Sequence, residues 1–432
     1  MKKFLVALMI LALTLSLIAC APKADEPEAP VTEAPAEEPV EEPVEEPTEE
    51  PVEEPAEEKT IINFAVQADS TPALDKLIEE FNNKSEKYQV KATIMTNDSG
   101  QMHDQLLNSL SSKSGEYDVI SMDVVWAGEF ASAGYLQTID KLLMDKGWKP
   151  TDFNAGSMDS GKYKGKNYVL PYFPDLGFIY FRSDIVSEED AQILKSGDYT
   201  FDDFIAMGEK YMGQDGTKYA YAYQSKQYEG LTCNINEFSS NWTDIEGGLN
   251  YMKEMMDKGL TPEDILNYTE GETANALLNG ETVFARNWPY VNGMLQTGEH
   301  DIKIDQIDYA PLPGGGTVGG WILGINANSK NSEGAEEFLS FISGPEGQKI
   351  NAMEGSYLPG YNALLEDKAL LDFNKLLSNE GFQNALAGTI SRPVVPNYSE
   401  VSDKIQINTH EFLSGNGSLE DAVKGIEEAL GE

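Results

Sequence analysis

An α/β fold built as two lobes around a ligand cleft is expected from three features of the chain. From Thr60 onward, apolar strands alternate with amphipathic helices in a β-α-β-α-β order, which places helices against a largely parallel sheet. The stretch from Thr60 to Glu432 is longer than a single hydrophobic core usually serves. The chain also has only two cysteines, Cys20 and Cys233, so stability must come from burial and not from a disulfide framework.

Taken in order, Ile61 to Val66 reads as a strand, and Thr71-Pro72 reads as the cap and first residue of a helix that turns Leu74, Leu77, Ile78 and Phe81 to one face. Tyr88, Val90, Ala92 and Ile94 alternate as a half-buried strand. A helix carrying Leu106, Leu107 and Leu110 follows, then a strand from Asp118 to Asp123. Ligands on such sheets sit beyond the carboxyl ends of the strands, which points to Asp123 and to Gln67, Asp69 and Ser70. A second lobe is expected from near Tyr172, with a strand over Gly177 to Arg182, a helix capped by Thr200, and further helices over 245–258, 273–278 and 289–296. Trp321 to Ile325 reads as a strand returning to the first lobe. The resulting division is 60–171 for lobe 1, with about 307–343 returning to it, and 172–306 for lobe 2, with 344–432 mostly joining it.

The first twenty residues have a different character. Lys2 and Lys3 precede an apolar run from Phe4 to Leu17, the pattern of a secretory signal. The run ends in Leu17-Ile18-Ala19-Cys20, which resembles a bacterial lipoprotein lipobox. That resemblance implies removal of residues 1–19, lipidation of Cys20 and attachment to the outer face of the cell membrane. Residues 20–59 then cycle through Glu-Glu-Pro-Val, with proline at every fourth position from Pro35 to Pro55. Small apolar residues among repelling charges cannot form a core, so this segment reads as an extended spacer.

Composition excludes several function classes. A net charge of −42 is wrong for nucleic-acid binding, which needs basic patches. His103, His300 and His410 have no metal-ligand spacing, and no metal or cofactor is expected. No nucleophile elbow or dinucleotide fingerprint is present, and Gly314-Gly315-Gly316 lacks the lysine of a phosphate loop.

What the chain does offer is aromatic and carboxylate residues at loop positions. They cluster in Asp123-Val-Val-Trp126-Ala-Gly-Glu129-Phe130, in Pro171-Tyr172-Phe173-Pro174-Asp175, in Arg286-Asn287-Trp288-Pro289-Tyr290, in Gly319-Gly320-Trp321 and in Ser391-Arg392-Pro393. Sugar rings stack their C–H faces on aromatic side chains, and their hydroxyls suit a carboxylate or a guanidinium fork. Glu237 could line a cleft or hold a lobe together. Trp126, Tyr172, Phe173 and Tyr180 read equally well as packing residues.

Together these clusters resemble the family-1 extracellular solute-binding proteins of ABC importers, in the branch that binds trehalose, maltose and related oligosaccharides. The resemblance implies a periplasmic-binding-protein-like fold, two lobes joined by crossover strands, and a monomer that passes a sugar to permease subunits. It maps sugar contacts to Asp123, Asp175, Trp288, Trp321 and Arg392, with Gly320 offering backbone. Trp126, Tyr172 and Asp69 complete the candidate site. One departure lies in the first strand–helix loop, where an acidic residue is replaced by Gln67-Ala68-Asp69-Ser70. Two rival classes stay open: a secreted glycoside hydrolase using a carboxylate pair such as Asp123 and Asp175, and an acidic surface protein with no small ligand.

Overall fold

The computed structural model describes residues 58–393, 395 and 397–431. The expected signal sequence, the Cys20 anchor and nearly all of the spacer lie outside the described residues. Among those described, no helix is long and apolar enough to cross a membrane.

The strands are β1 (Thr60–Gln67), β2 (Tyr88–Met95), β3 (Val119–Asp123), the short pair β4 (Lys162–Tyr163) and β5 (Lys166–Asn167), β6 (Val169–Leu176), β7 (Phe178–Arg182), β8 (Tyr219–Ala222), β9 (Thr282–Asn287), β10 (Ile307–Ala310), β11 (Gly316–Ile325) and β12 (Thr389–Ile390). They build two main sheets. The first runs β12-β11-β3-β1-β2, with β6 on the other side of β11; the second runs β10-β7-β9-β8.

Strand β1 shows why the first sheet forms. Ile62, Phe64 and Val66 enter the core that contains Phe338, while Ala65 between them enters the opposite core with Ile120 and Met122. This period of two, with both faces covered by helices, is what a buried parallel strand needs. β1 pairs in parallel with β2 and β3. The sheet is nevertheless mixed, because β11 runs antiparallel to both β3 and β6. In the second sheet β7 alternates in the same way, with Ile179 and Phe181 in one core and Phe178 and Tyr180 in the other.

The chain changes sheets at Gly177, which separates β6 from β7. It returns at β11. The expected return near residue 307 is corrected here, since β10 (307–310) pairs with β7 in the second sheet. Tyr172 likewise lies in β6 and packs in the first sheet's core, not at the start of the second. The helix Pro345–Gly355 packs on the helix Ala73–Lys84 beside the first sheet and on the helix Tyr290–Thr297 beside the second. Helices Tyr398–Leu413 and Leu419–Leu430 pack on the second sheet's core.

One buried carboxylate ties the first sheet together. Asp118, 1% exposed, accepts from the Asn63 amide at 2.9 Å, from Ser329 Oγ at 2.6 Å and from Asn331 Nδ2 at 3.3 Å. It thereby joins β1 to the turn that follows β11. Asp118→Ala should lower the unfolding free energy by about 1–3 kcal/mol, because those donors lose their partner in the interior. Urea unfolding measures the loss, and a change within about 0.5 kcal/mol would refute the clasp.

Candidate functional site

Strands of both sheets end at one cavity of about 330 Å³. From the first sheet, Gln67 closes β1 and Ser70 follows it, Asn97 and Ser99 follow β2, and Asp123 closes β3. From the second, Tyr228 and Glu229 follow β8, and Trp288 and Tyr290 follow β9. These are strand carboxyl ends, the position where α/β sheets hold ligands. The two sides also meet directly, where Lys226 Nζ reaches the Asp98 carboxylate at 3.2 Å.

Six of the nine candidate ligand residues line this cavity: Asp123, Asp175, Trp288, Gly320, Trp321 and Arg392. The other three do not. Asp69 spends its carboxylate on the first turn of the helix Ala73–Lys84, accepting from the Thr71 amide and hydroxyl, both at 2.8 Å, and from the Leu74 amide at 3.3 Å. It also accepts from the Tyr357 hydroxyl, and Asp69 shares that helix end with Thr71, whose Oγ1 accepts from the Ala73 amide at 3.3 Å. Trp126 is buried behind the wall and meets Trp321 edge-on, with centroids 5.6 Å apart. Tyr172 is buried in the first sheet's core.

A buried charge cluster forms the back of the cavity. Arg392 gives Asp123 two hydrogen bonds, at 3.0 and 2.6 Å, and a third to Glu229 at 2.9 Å. Glu229 also accepts from Ser402 Oγ at 2.6 Å and from the Tyr398 hydroxyl. Burial pushes the Glu229 carboxyl above its ordinary range, while Arg392 pulls it back.

The opposite wall is acidic without a cation in hydrogen-bonding contact. Burial pushes the Asp175 carboxyl well above its ordinary range; the Leu176 amide and Arg286 counter this, and the charges of Glu270 and Asp123 add to it. Burial raises Glu270 too, although the Tyr228 hydroxyl at 2.8 Å and Trp288 Nε1 at 3.4 Å donate to it.

Trp288 stands between these walls with its orientation fixed from several sides. Its backbone amide donates to Asn287 Oδ1 at 2.9 Å, and its carbonyl accepts from the Tyr180 hydroxyl at 2.7 Å. A Cβ on Gly319 would lie 2.9 Å from Trp288 Cζ3, so the indole needs glycine there. Gly320 has φ +131°, a backbone region open to glycine. Its carbonyl accepts from the Val124 amide at 3.1 Å. Trp321 pairs in register with Asp123 on one side and Phe173 on the other.

Tyr228, Glu229 and Glu270 are among the lining residues that the sequence does not single out. Tyr228 and Glu229 follow β8, so the strand-end rule that found Asp123 reaches them once β8 is read as ending at Ala222. Glu270 follows Thr269, whose side chain forms a capping box with Glu272. Among the described residues no group of three or more His, Cys, Asp or Glu side chains could hold a metal ion.

Two sheets whose strand ends converge on one polar, aromatic-walled cavity define a protein that encloses a small ligand. The chain belongs to the bacterial extracellular solute-binding proteins, whose family model matches residues 67–349. It is 28% identical over 351 residues to a probable ABC transporter-binding protein of Deinococcus radiodurans, covering 74% of this chain and 81% of that one. It is 24% identical over 332 residues to a maltotriose-binding protein of Pyrococcus abyssi, covering 71% and 68%. Among solved structures it is similar to maltose-bound MalE3 of T. maritima, with a TM-score of 0.77, 27% identity and coverage of 86% and 99%. The GacH receptor of Streptomyces glaucescens shares the fold at a TM-score of 0.72 and 19% identity, with coverage of 87% and 100%.

The raised Asp175 carboxyl has a stability consequence. A carboxyl whose folded pKa lies above its unfolded value of about 3.9 destabilises the fold while ionised, and the penalty is relieved as pH falls through the folded value. Asp175→Asn should therefore raise Tm at pH 7.5 and reduce the gain in Tm that wild type shows on acidification toward pH 5. Calorimetric melts across that range test this, and an unchanged or lower Tm at pH 7.5 would refute it.

Proposed function

We propose that this protein captures a di- or oligosaccharide of the maltose, trehalose or maltotriose type outside the cytoplasm and delivers it to the permease of an ABC importer. The observation that carries this reading is the convergence of Trp288, Tyr290 and Trp321 with Asp123, Asp175, Glu229 and Arg392 on one cavity. Indole and phenol faces stack on pyranose C–H surfaces, and hydroxyls both donate to carboxylates and accept from a guanidinium. The protein acts by binding, with no turnover of the sugar. In this reading Cys20 carries the lipid anchor, and residues 21–59 hold the domain away from the membrane.

The supporting facts are the family membership, the maltotriose- and maltose-binding names of the relatives above, and the lining of the cavity. A hydrolase reading is weaker on one observation: both oxygens of Asp123 are held by Nη1 and Nη2 of Arg392, which leaves it poorly placed to act on a glycosidic oxygen.

Calorimetric titration with trehalose, maltose, sucrose and maltotriose should find at least one ligand, and overnight incubation should leave it uncleaved. Trp288→Ala should weaken that ligand's binding at least about tenfold, roughly 1.4 kcal/mol, with the melting transition kept. Wild-type affinity in Trp288→Ala, or release of monosaccharide by the pure protein, would overturn the reading. Separately, Cys20→Ser should move the protein from the membrane fraction to the medium or leave the signal uncleaved; normal processing with membrane retention would exclude the lipid as anchor.

A further inference from the structure

Behind Trp288, out of contact with the cavity, lies a second buried ion pair that the ligand contacts above do not use. Arg286 in β9 and Glu237 in the helix Glu229–Phe238 are 0% and 1% exposed. Arg286 Nε donates to Glu237 Oε2 at 2.9 Å, its Nη2 to Oε1 at 2.5 Å, and its Nη1 to Gln224 Oε1 at 3.2 Å. The guanidinium carbon sits 4.0 Å from the centroid of the Trp288 ring. A planar cation at that distance stacks on an indole face.

Glu237 carries the connection further. Its Oε1 also accepts from the Thr317 backbone amide at 2.9 Å, at the start of β11. The Thr317 carbonyl accepts from the Gly177 amide at 3.0 Å, and Thr317 pairs with Ile390 of β12. A Cβ on Gly177 would lie 2.2 Å from Arg286 Nη2 and 2.5 Å from Glu237 Oε1. Two segments that pass between the sheets, at Gly177 and Thr317, therefore meet at the carboxylate that holds Arg286, and β12 pairs with the second of them.

We infer that Arg286 is a positioning residue: locked by Glu237, it fixes the buried face of Trp288 and references that ring to the crossing point of the chain. The inference rests on the sugar-binding reading of Trp288 but reaches residues that do not line the cavity. A loose tryptophan would have to be ordered each time a ligand bound, and a ring clamped from behind avoids that cost. Lysine keeps the charge at position 286 yet cannot lie flat on an indole or bind a carboxylate through two nitrogens.

The test is a double-mutant cycle read with maltose and maltotriose as probes. Arg286→Lys and Glu237→Gln should each weaken binding about tenfold when Trp288 is present, and cause no further loss in a Trp288→Ala background. A loss of the same factor in both backgrounds would mean a general structural role and overturn the inference, as would wild-type affinity in both single variants. A second measurement needs no ligand. The Trp288 contribution to fluorescence, taken as wild type minus Trp288→Phe, should change in emission and in quenching by acrylamide when either Arg286→Lys or Glu237→Gln is introduced. If that contribution is unchanged in both, Arg286 does not position the ring. If the wild-type protein binds none of maltose, maltotriose, trehalose and sucrose, the sugar reading fails while the fluorescence result still decides the role of Arg286. Should Arg286→Lys not fold, Glu237→Gln, which is isosteric, carries both measurements.

Discussion

Two guanidinium groups are buried at the back of the cleft, and one helix supplies a carboxylate to each. The helix Glu229–Phe238 presents Glu229 from its first turn to Arg392 and Glu237 from its last turn to Arg286. Eight residues of one rigid element thus set the spacing between two charge centres. Desolvating such ions costs about as much as their attraction returns, so the pairs add little net stability, whereas removing one partner strands a buried charge at about 3–5 kcal/mol. The helix is held in one position by that asymmetry, and its interior residues from Gly230 to Phe238 are buried without exception.

The remaining acids of the cleft follow a different rule. Asp123 and Glu229 share a cation, but Asp175 and Glu270 have none in hydrogen-bonding contact, and burial raises both their pKa values. Asp175 and Glu270 thus keep polar oxygens for which the protein supplies no charged donor. A ligand rich in hydroxyl groups would supply the missing donors without bringing a charge of its own, which fits the proposed sugar better than an anionic solute, whose charge would meet four carboxylates and one guanidinium.

Much of this was legible in the chain, where the signal was local. The strand at β1, the Asp123 strand end and the cavity position of the Arg-Asn-Trp and Gly-Gly-Trp motifs follow from neighbouring residues, whereas the alternation expected of β2 holds at Val90 but not at Ile94, which is 54% exposed. The misplacements have physical causes too. Asp69 occupies a strand end, as a ligand residue would, but it also stands just before a helix with unsatisfied amides, and the cap claimed it. Glu229 went unnoticed because its partner Arg392 lies 163 positions away, and nothing in the sequence near Tyr228 announces a cation. Glu237 was left open between two roles for the same reason. The end of the second sheet was misjudged because β10 is a four-residue strand whose only pairing is with β7, far earlier in the chain.

The cleft's geometry finally depends on the register of one strand. Along β11, Thr317 donates to Glu237, Gly319 lies against the Trp288 indole, Gly320 gives its carbonyl to Val124, and Trp321 pairs with Asp123. Those contacts reach α-helix, aromatic wall, loop and strand end in turn. The register against β6 shifts between Trp321 and Ile322, with Tyr172 of β6 as the extra residue, while β11 keeps its alternation against β3 and Ile322 enters the core with Met122. Sliding β11 by one residue would invert every one of these faces, setting Val318 or Gly320 in place of Gly319 and turning Trp321 away from the cavity. The two adjacent glycines before Trp321 lie inside the strand. They are the positions at which β11 comes so close to its neighbours that no side chain fits, and that closeness keeps the two tryptophans of the cleft in place.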